Sequence, residues 1–332
     1  MSSSTSASES WQRQLAESFT DLAELCRFLQ LDSKRLPLSS DACQLFPLRV
    51  TRHFAGNMTP GDANDPLLRQ VLALSDELEY VQGFTTDPVG DHSAHSAPGI
   101  LHKYHGRALL VTTGACAIHC RYCFRRNFSY QDHQLTGRNS EQALAYIAEH
   151  CDLEEIILSG GDPLMLSDAR LTSLIERLTD IPHLKRLRLH SRLPVVLPDR
   201  INPALLTALT ESRLNCVMVI HANHAQELCP NVADACLRLR EHGVSMLNQS
   251  VLLHGVNDTV ESLRDLSERL FTIGVLPYYL HLLDRAQGTA HFEVSEAVAI
   301  RLHETIRAKL PGYLVPRLVR ETAGAPAKQP IV

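Results

Sequence analysis

Three cysteines within eight residues, Cys116, Cys120 and Cys123, have the types and spacing to hold a reactive centre. A thiolate is a soft, strong metal ligand, and three so close can converge on one centre without help from distant chain. Iron–sulfur clusters of the four-iron kind normally take four cysteines, so a group of three leaves one iron open. An open iron can bind a substrate or cofactor instead of only passing electrons. The competing reading is a structural zinc site completed by His119 or a remote ligand. Zinc knots usually present paired Cys-x2-Cys halves, and this sequence has no second pair.

Further candidates follow at intervals. The run Glu155-Ile-Ile-Leu-Ser-Gly-Gly-Asp162 ends in Gly160 and Gly161, which lack a Cβ and let a ligand or another backbone approach closely. Asp162 can then meet an ammonium group, although a Gly-Gly-Asp turn is usually only a turn. Polar residues recur at His190-Ser191-Arg192, at His221 to His224 and at Asn248-Gln249-Ser250. Together they suit a lined pocket, whereas each alone would be an ordinary solvated rim.

The elements that must position these groups alternate regularly. Short β-branched or leucine-rich runs start near 108, 155, 186, 216, 246 and 277, and after the first interval the repeat is roughly 30 residues, the size of a strand–helix unit. Amphipathic stretches lie between them, near 140–151, 167–179, 202–212, 231–242, 260–273 and 294–310. Ser167-Asp168, Asn202-Pro203, Asn231 and Asp258-Thr259 are placed to start helices, and Gly243 and Gly274 to stop them. Six such units predict a parallel sheet with right-handed crossovers, an incomplete (β/α)6 barrel whose site forms at the carboxyl ends of the strands. The cysteine loop follows the first strand directly.

Before the barrel, residues 1–100 read as a mostly helical N-terminal extension. Apolar positions from Trp11 to Leu29 predict one amphipathic helix over residues 8–30, and a second helical piece is expected near Leu67 to Leu78. The Ser-rich residues 1–10 read as a disordered leader without the features of a secretory signal. The barrel occupies residues 101–312, and 313–332 form a C-terminal strand and tail. Histidines between His53 and His119 show no metal-ligand spacing.

Composition excludes several classes of function. A net charge of −5 gives no electrostatic reason to expect nucleic acid or an anionic membrane as partner. No apolar run is long enough to span a bilayer. Nine cysteines, an odd number without secretory context, fit reduced thiols in a cytoplasm better than disulfides. Cys26, Cys151, Cys216 and Cys236 are expected to be buried and structural, and Cys43 and Cys229 to lie in loops.

The Cys-x3-Cys-x2-Cys spacing, with Tyr122 before the last cysteine, resembles the signature of radical S-adenosylmethionine (SAM) enzymes, in which SAM chelates the open iron of a [4Fe-4S] cluster. Cys-Arg-Tyr-Cys-Phe-Arg-Arg (120–126), Ser-Gly-Gly-Asp (159–162), Asn-Gln-Ser-Val-Leu-Leu (248–253), Pro-Tyr-Tyr (277–279) and Asp284 with His291-Phe292 narrow the resemblance. They are similar to the lysine 2,3-aminomutase family, from about Leu101 to the C-terminus. The resemblance implies SAM, the cluster and pyridoxal 5′-phosphate (PLP) as cofactors, and conversion of an α-amino acid to a β-amino acid.

Residue by residue, it implies that Cys116, Cys120 and Cys123 hold the cluster, and that Gly160, Gly161, Asp162, His221 and Gln249 serve the cofactors. Arg107 falls where an arginine meets the PLP phosphate, and Lys328 matches the lysine that captures PLP. Arg125 matches the guanidinium on the substrate α-carboxylate. Asp284 and Glu321 match the two carboxylates on the ε-ammonium of lysine. Glu321 departs from the aspartate of the catabolic enzyme, and the approach to Lys328, Ala323-Gly324-Ala325-Pro326-Ala327, keeps one glycine. The chain stops at Val332, where the catabolic enzymes continue. In this it resembles the short bacterial form that supplies (R)-β-lysine to a lysyl-tRNA-synthetase-like ligase for modification of elongation factor P. An electron donor protein is a further implied partner. The alternatives are a 2,3-aminomutase for arginine or glutamate, and a non-catalytic metal-binding protein.

Overall fold

The computed structural model describes residues 11–130 and 135–332. Among these, ten strands form one sheet in the order β1 to β10. Seven neighbours run parallel: β3 (Arg107–Thr113), β4 (Glu155–Gly160), β5 (Arg186–Ser191), β6 (Asn215–Ile220), β7 (Ser245–Val251), β8 (Leu276–His281) and β9 (Arg317–Arg320). β1 (His95–Ala97) and β2 (Ile100–Tyr104) extend one edge antiparallel, and β10 (Gln329–Pro330) extends the other. The two edges are not paired to each other among the described residues, so the sheet is an open partial barrel.

Helices α1 (Gly137–Glu149), α2 (Asp168–Thr179), α3 (Pro203–Glu211), α4 (Pro230–Glu241), α5 (Val260–Thr272) and α6 (Glu296–Lys309) alternate with the strands as the sequence rhythm predicts. Ser167, Asn202 and Thr259 accept backbone N–H groups and cap α2, α3 and α5. α4 starts earlier than expected, with Cys229 rather than Asn231 at its cap, because Pro230 has the fixed φ that suits a first helical position. α2 shows why these stretches are helical: it buries Leu171, Leu174, Ile175 and Leu178 on one face. Full burial of each such side chain is worth about 1.5–3 kcal/mol.

The strands follow a period of two. In β5, Leu187, Leu189 and Ser191 are buried while Arg186, Arg188 and His190 are not fully covered. The same alternation turns Leu247, Gln249 and Val251 of β7, with Ile157 and Ser159 of β4, toward a central cavity.

Several expectations are corrected. The helix expected over 8–30 is two pieces, residues 11–16 and Leu22–Phe28. Between them Phe19 pairs its backbone with Val50, and Asp21 caps the second piece by accepting from Glu24 N. The piece expected near 67–78 is a short helix, Pro66–Arg69, and a separate 3₁₀ turn, Ser75–Leu78. Cys151 is exposed, just past the end of α1, and Cys43 lies in the helix Ser40–Leu45. The expected leader, residues 1–10, lies outside the described residues. Residues from Trp11 to Leu72 share one hydrophobic cluster with the barrel's helices and strands. Among the described residues no helix is long and apolar enough to cross a membrane.

Candidate active site

A cavity of about 770 Å³ runs inside the barrel and gathers the candidate residues on one surface. Cys116, Cys120, Cys123, Arg125, Gly160, Gly161, Asp162, His221, Gln249, Asp284, Glu321, Lys328 and Arg107 all line it. The site is not confined to the carboxyl ends of the strands. Arg107, Glu155 and Arg317 sit at strand starts, so the cavity reaches through the barrel to a basic far end where Arg188 pairs with Glu155 at 2.7 Å.

The cysteine loop is held from both sides. The backbone N–H of Arg121 donates to Gln70 O at 2.8 Å, and that of His119 to Arg49 O at 3.0 Å. The His119 ring bonds Pro47 O through Nδ1 at 2.7 Å, which ties it to the N-terminal extension. Arg192 donates to Cys120 Sγ at 2.6 Å and to Tyr122 Oη at 2.7 Å, placing a cation beside the thiols. Among the described residues no three His, Cys, Asp or Glu side chains converge on a single ion. A four-iron cube takes its cysteines on separate irons and asks for a wider spacing than one tetrahedral ion. The three thiols, gathered at the surface of one cavity, fit such a cluster.

Gly160 and Gly161 are explained by backbone as much as by ligand. A Cβ on Gly161 would stand 2.5 Å from Ala115 O, and one on Gly160, at φ +117°, 2.6 Å from Thr113 O. The bare glycines let the start of the cysteine loop lie against the end of β4, where Gly161 N donates to Thr113 O at 2.7 Å. Asp162 is engaged within the protein. Oδ1 accepts from Ser191 Oγ at 2.8 Å and Leu164 N at 3.0 Å, and Oδ2 from Arg192 N at 2.8 Å and Leu193 N at 3.2 Å. Four bonds fill a carboxylate's acceptor sites, so Asp162 joins the end of β4 to the end of β5 and shapes the wall. Burial pushes its carboxyl up to about 6 despite these bonds.

Around Lys328 the polar groups are of two kinds. His190, His221 and His281 are held neutral, first by burial: His221 is lowered to about 3, and the other two fall well below the usual range. Their Nε2 atoms and Gln249 Oε1 are buried and have no hydrogen-bond partner. Buried polar atoms without partners are uncommon, and four facing one cavity mark a surface made to receive a polar ligand. The second kind is ionic. Lys328 Nζ lies 2.6 Å from Glu321 Oε2. Burial and the neighbouring Glu321 push Asp284 up to about 7. Burial also works to raise Glu321, but Lys328 and Lys103 outweigh it and hold that carboxyl down.

The tail arrives here by strand pairing: Gln329 of β10 lies opposite Arg320 of β9, which sets Lys328 opposite Glu321. An amine on the cavity surface, neutral imidazoles around it and arginines at the far end fit an aldehyde cofactor with a phosphate.

Three site residues have no signal in the sequence. Asp91, buried, lies 2.7 Å from Arg125 Nε and is held down to about 2, burial being outweighed by Arg125 and Lys103. Lys103 and Tyr104 complete that wall. Asp91 sits in a turn-rich stretch and Lys103 near the end of the short strand β2, where a charged residue beside a turn is the ordinary choice.

An open parallel barrel with a three-thiol loop after its first parallel strand defines a radical SAM enzyme, and residues 110–267 match the model of the radical SAM superfamily. Over nearly its whole length the chain is similar to proteins named L-lysine 2,3-aminomutase. That of Escherichia coli is 49% identical over 98% of this chain and 96% of the relative. That of Haemophilus influenzae is 45% identical, over 96% and 95%. The longer protein of Clostridium subterminale is 33% identical over 97% of this chain and 77% of its own. The chain belongs to the lysine 2,3-aminomutase family and is an enzyme of the isomerase class. Its superfamily works with a [4Fe-4S] cluster and SAM.

Proposed function

We propose that the enzyme converts L-α-lysine to (R)-β-lysine by moving the 2-amino group to carbon 3, with the cluster on Cys116, Cys120 and Cys123 and PLP on Lys328. The observation that carries this reading is the one cavity lined by the three thiols together with Arg125, Asp284, Glu321 and Lys328. Bound there, the cofactors supply radical hydrogen transfer and a conjugated system that steadies the migrating nitrogen.

The chain's own groups grip and orient the substrate. Arg125 is turned by Asp91, which takes its Nε, and its Nη1 meets Ser159 Oγ at 3.3 Å. The outer edge of the guanidinium is then aimed to take a carboxylate in two parallel bonds. Asp284 and Glu321 offer negative charge to a terminal ammonium. This selects a cationic side chain of one length, against the acidic chain of glutamate and the broader guanidinium of arginine. The barrel walls exclude water and fix the reacting carbon, which limits reaction at neighbouring C–H bonds.

We further propose that (R)-β-lysine is made for modification of elongation factor P by a lysyl-tRNA-synthetase-like ligase, and that an electron donor protein reduces the cluster. Similarity to the short bacterial form over the full chain supports this. The test is anaerobic reconstitution with iron, sulfide, PLP and SAM, then chiral analysis of products from lysine, arginine and glutamate. (R)-β-lysine from lysine alone is the expected result. A β-amino acid from another substrate, or none from lysine, overturns the reading.

A further inference from the structure

The groups assigned to the two ends of the substrate are joined through the protein by a chain of alternating charge. Arg125 Nε lies 2.7 Å from Asp91 Oδ2, and Asp91 Oδ1 lies 2.6 Å from Lys103 Nζ. Lys103 Nζ lies 3.4 Å from Glu321 Oε1, whose other oxygen meets Lys328 at 2.6 Å. Lys103 also donates to Val89 O at 2.8 Å, so its ammonium is fully engaged by three acceptors. The Lys103 and Glu321 side chains are each 17% exposed and Asp91 3%, and ion pairs so placed are little screened by solvent.

Position gives this chain its consequence. Lys103 belongs to β2, one strand in from one edge of the open sheet, and Glu321 follows β9, one strand in from the other. The Lys103–Glu321 contact therefore crosses the seam that strand pairing leaves open. On the functional reading above, we propose that Lys103 is a positioning residue, tying the carboxylate-binding arginine to the ammonium-binding glutamate and so fixing the length of substrate that both can hold.

The acidic end depends on the same cation. Glu321 and Asp91 push the Asp284 carboxyl up, after burial, while Lys328 and Lys103 act against them. Glu321 faces Lys328, Lys103 and Asp91, and takes a hydrogen bond from the Tyr104 hydroxyl. Removing the Lys103 charge raises both carboxyls. They then ionise only at higher pH, and the grip on an ammonium is lost sooner as pH falls. A lysine that merely stapled the seam would carry no such pH signature.

The experiment compares Lys103→Met and Lys103→Arg in the reconstituted full chain. The measurements are KM and kcat for lysine against pH, and calorimetric binding of L-lysine and of L-norleucine, which lacks the ε-ammonium. In Lys103→Met we expect KM for lysine to rise about tenfold at neutral pH with a smaller change in kcat, a difference of one decade in binding. The acid limb should move up by about one pH unit, the scale on which a neighbouring charge shifts a carboxyl. Lysine affinity should fall more than norleucine affinity, and Lys103→Arg should restore most of the loss. An unchanged pH profile, or equal losses for the two ligands, overturns the proposal. If the wild-type protein itself does not turn over lysine, the functional reading fails and this inference with it.

Discussion

Replacing Glu77 by alanine tests how the cysteine loop is held. Glu77 is buried in the N-terminal extension and takes both guanidinium groups that flank Cys123. Arg121 Nε lies 2.8 Å from Oε1 and Nη2 2.6 Å from Oε2, while Arg126 Nη2 lies 2.7 Å from Oε2. The side chains of Glu77, Arg121 and Arg126 are 1%, 0% and 5% exposed. Removing one partner of a buried ion pair strands the other charge and costs about 3–5 kcal/mol. Other acceptors soften the loss: Arg121 keeps Phe46 O and Ala42 O, and Arg126 keeps Arg121 O and Gly288 O. Hydrogen bonding is then largely retained and charge compensation is not, which sets the expected cost near the lower bound, about 3 kcal/mol. The assay is urea unfolding together with iron and sulfide content after identical reconstitution. Glu77→Gln, which keeps shape and an acceptor, should fall between alanine and wild type. A Glu77→Ala protein within about 0.5 kcal/mol of wild type, the range of an ordinary surface change, and with full iron content would refute the reasoning.

Because burial and Glu321 push Asp284 up to about 7, lysine binding should weaken as pH falls through that value, where the carboxylate takes up a proton. Calorimetry across the range should show this limb in wild type and not in Asp284→Asn; its persistence in the variant would assign it to another group. Charge reversal in Asp284→Lys should abolish lysine turnover and leave the cluster spectrum intact. Gly161→Ala places a Cβ 2.5 Å from Ala115 O and should cost about 1–3 kcal/mol and lower iron content. Gly312→Ala, with nothing within 4 Å, should do neither, and equal behaviour of the two would contradict the close approach described for the loop. Lys328→Ala should lose the visible PLP band while keeping its iron, and a retained band would remove the lysine from its assigned role.

Local order fixes what was readable before folding. Three thiols in eight residues carry their ligand chemistry wherever the chain puts them, and periods of 3.6 and 2 mark the six barrel helices and strands because burial acts on faces. Only family resemblance singles out Lys328 and Glu321, since a lysine near a chain end is ordinarily a mobile surface charge. The breaks at Phe19 and after Arg69 leave no mark in the sequence pattern, because long-range pairing overrides local helical spacing, as in the Phe19–Val50 bridge. Tertiary structure alone decided that Asp162 spends its oxygens on β5, that the glycines before it make room for the loop's own backbone, and that Asp91 and Lys103 join the site. Those contacts join residues from 12 to more than 200 positions apart. A buried charge is recognised by what surrounds it, and its surroundings exist only once the barrel has formed.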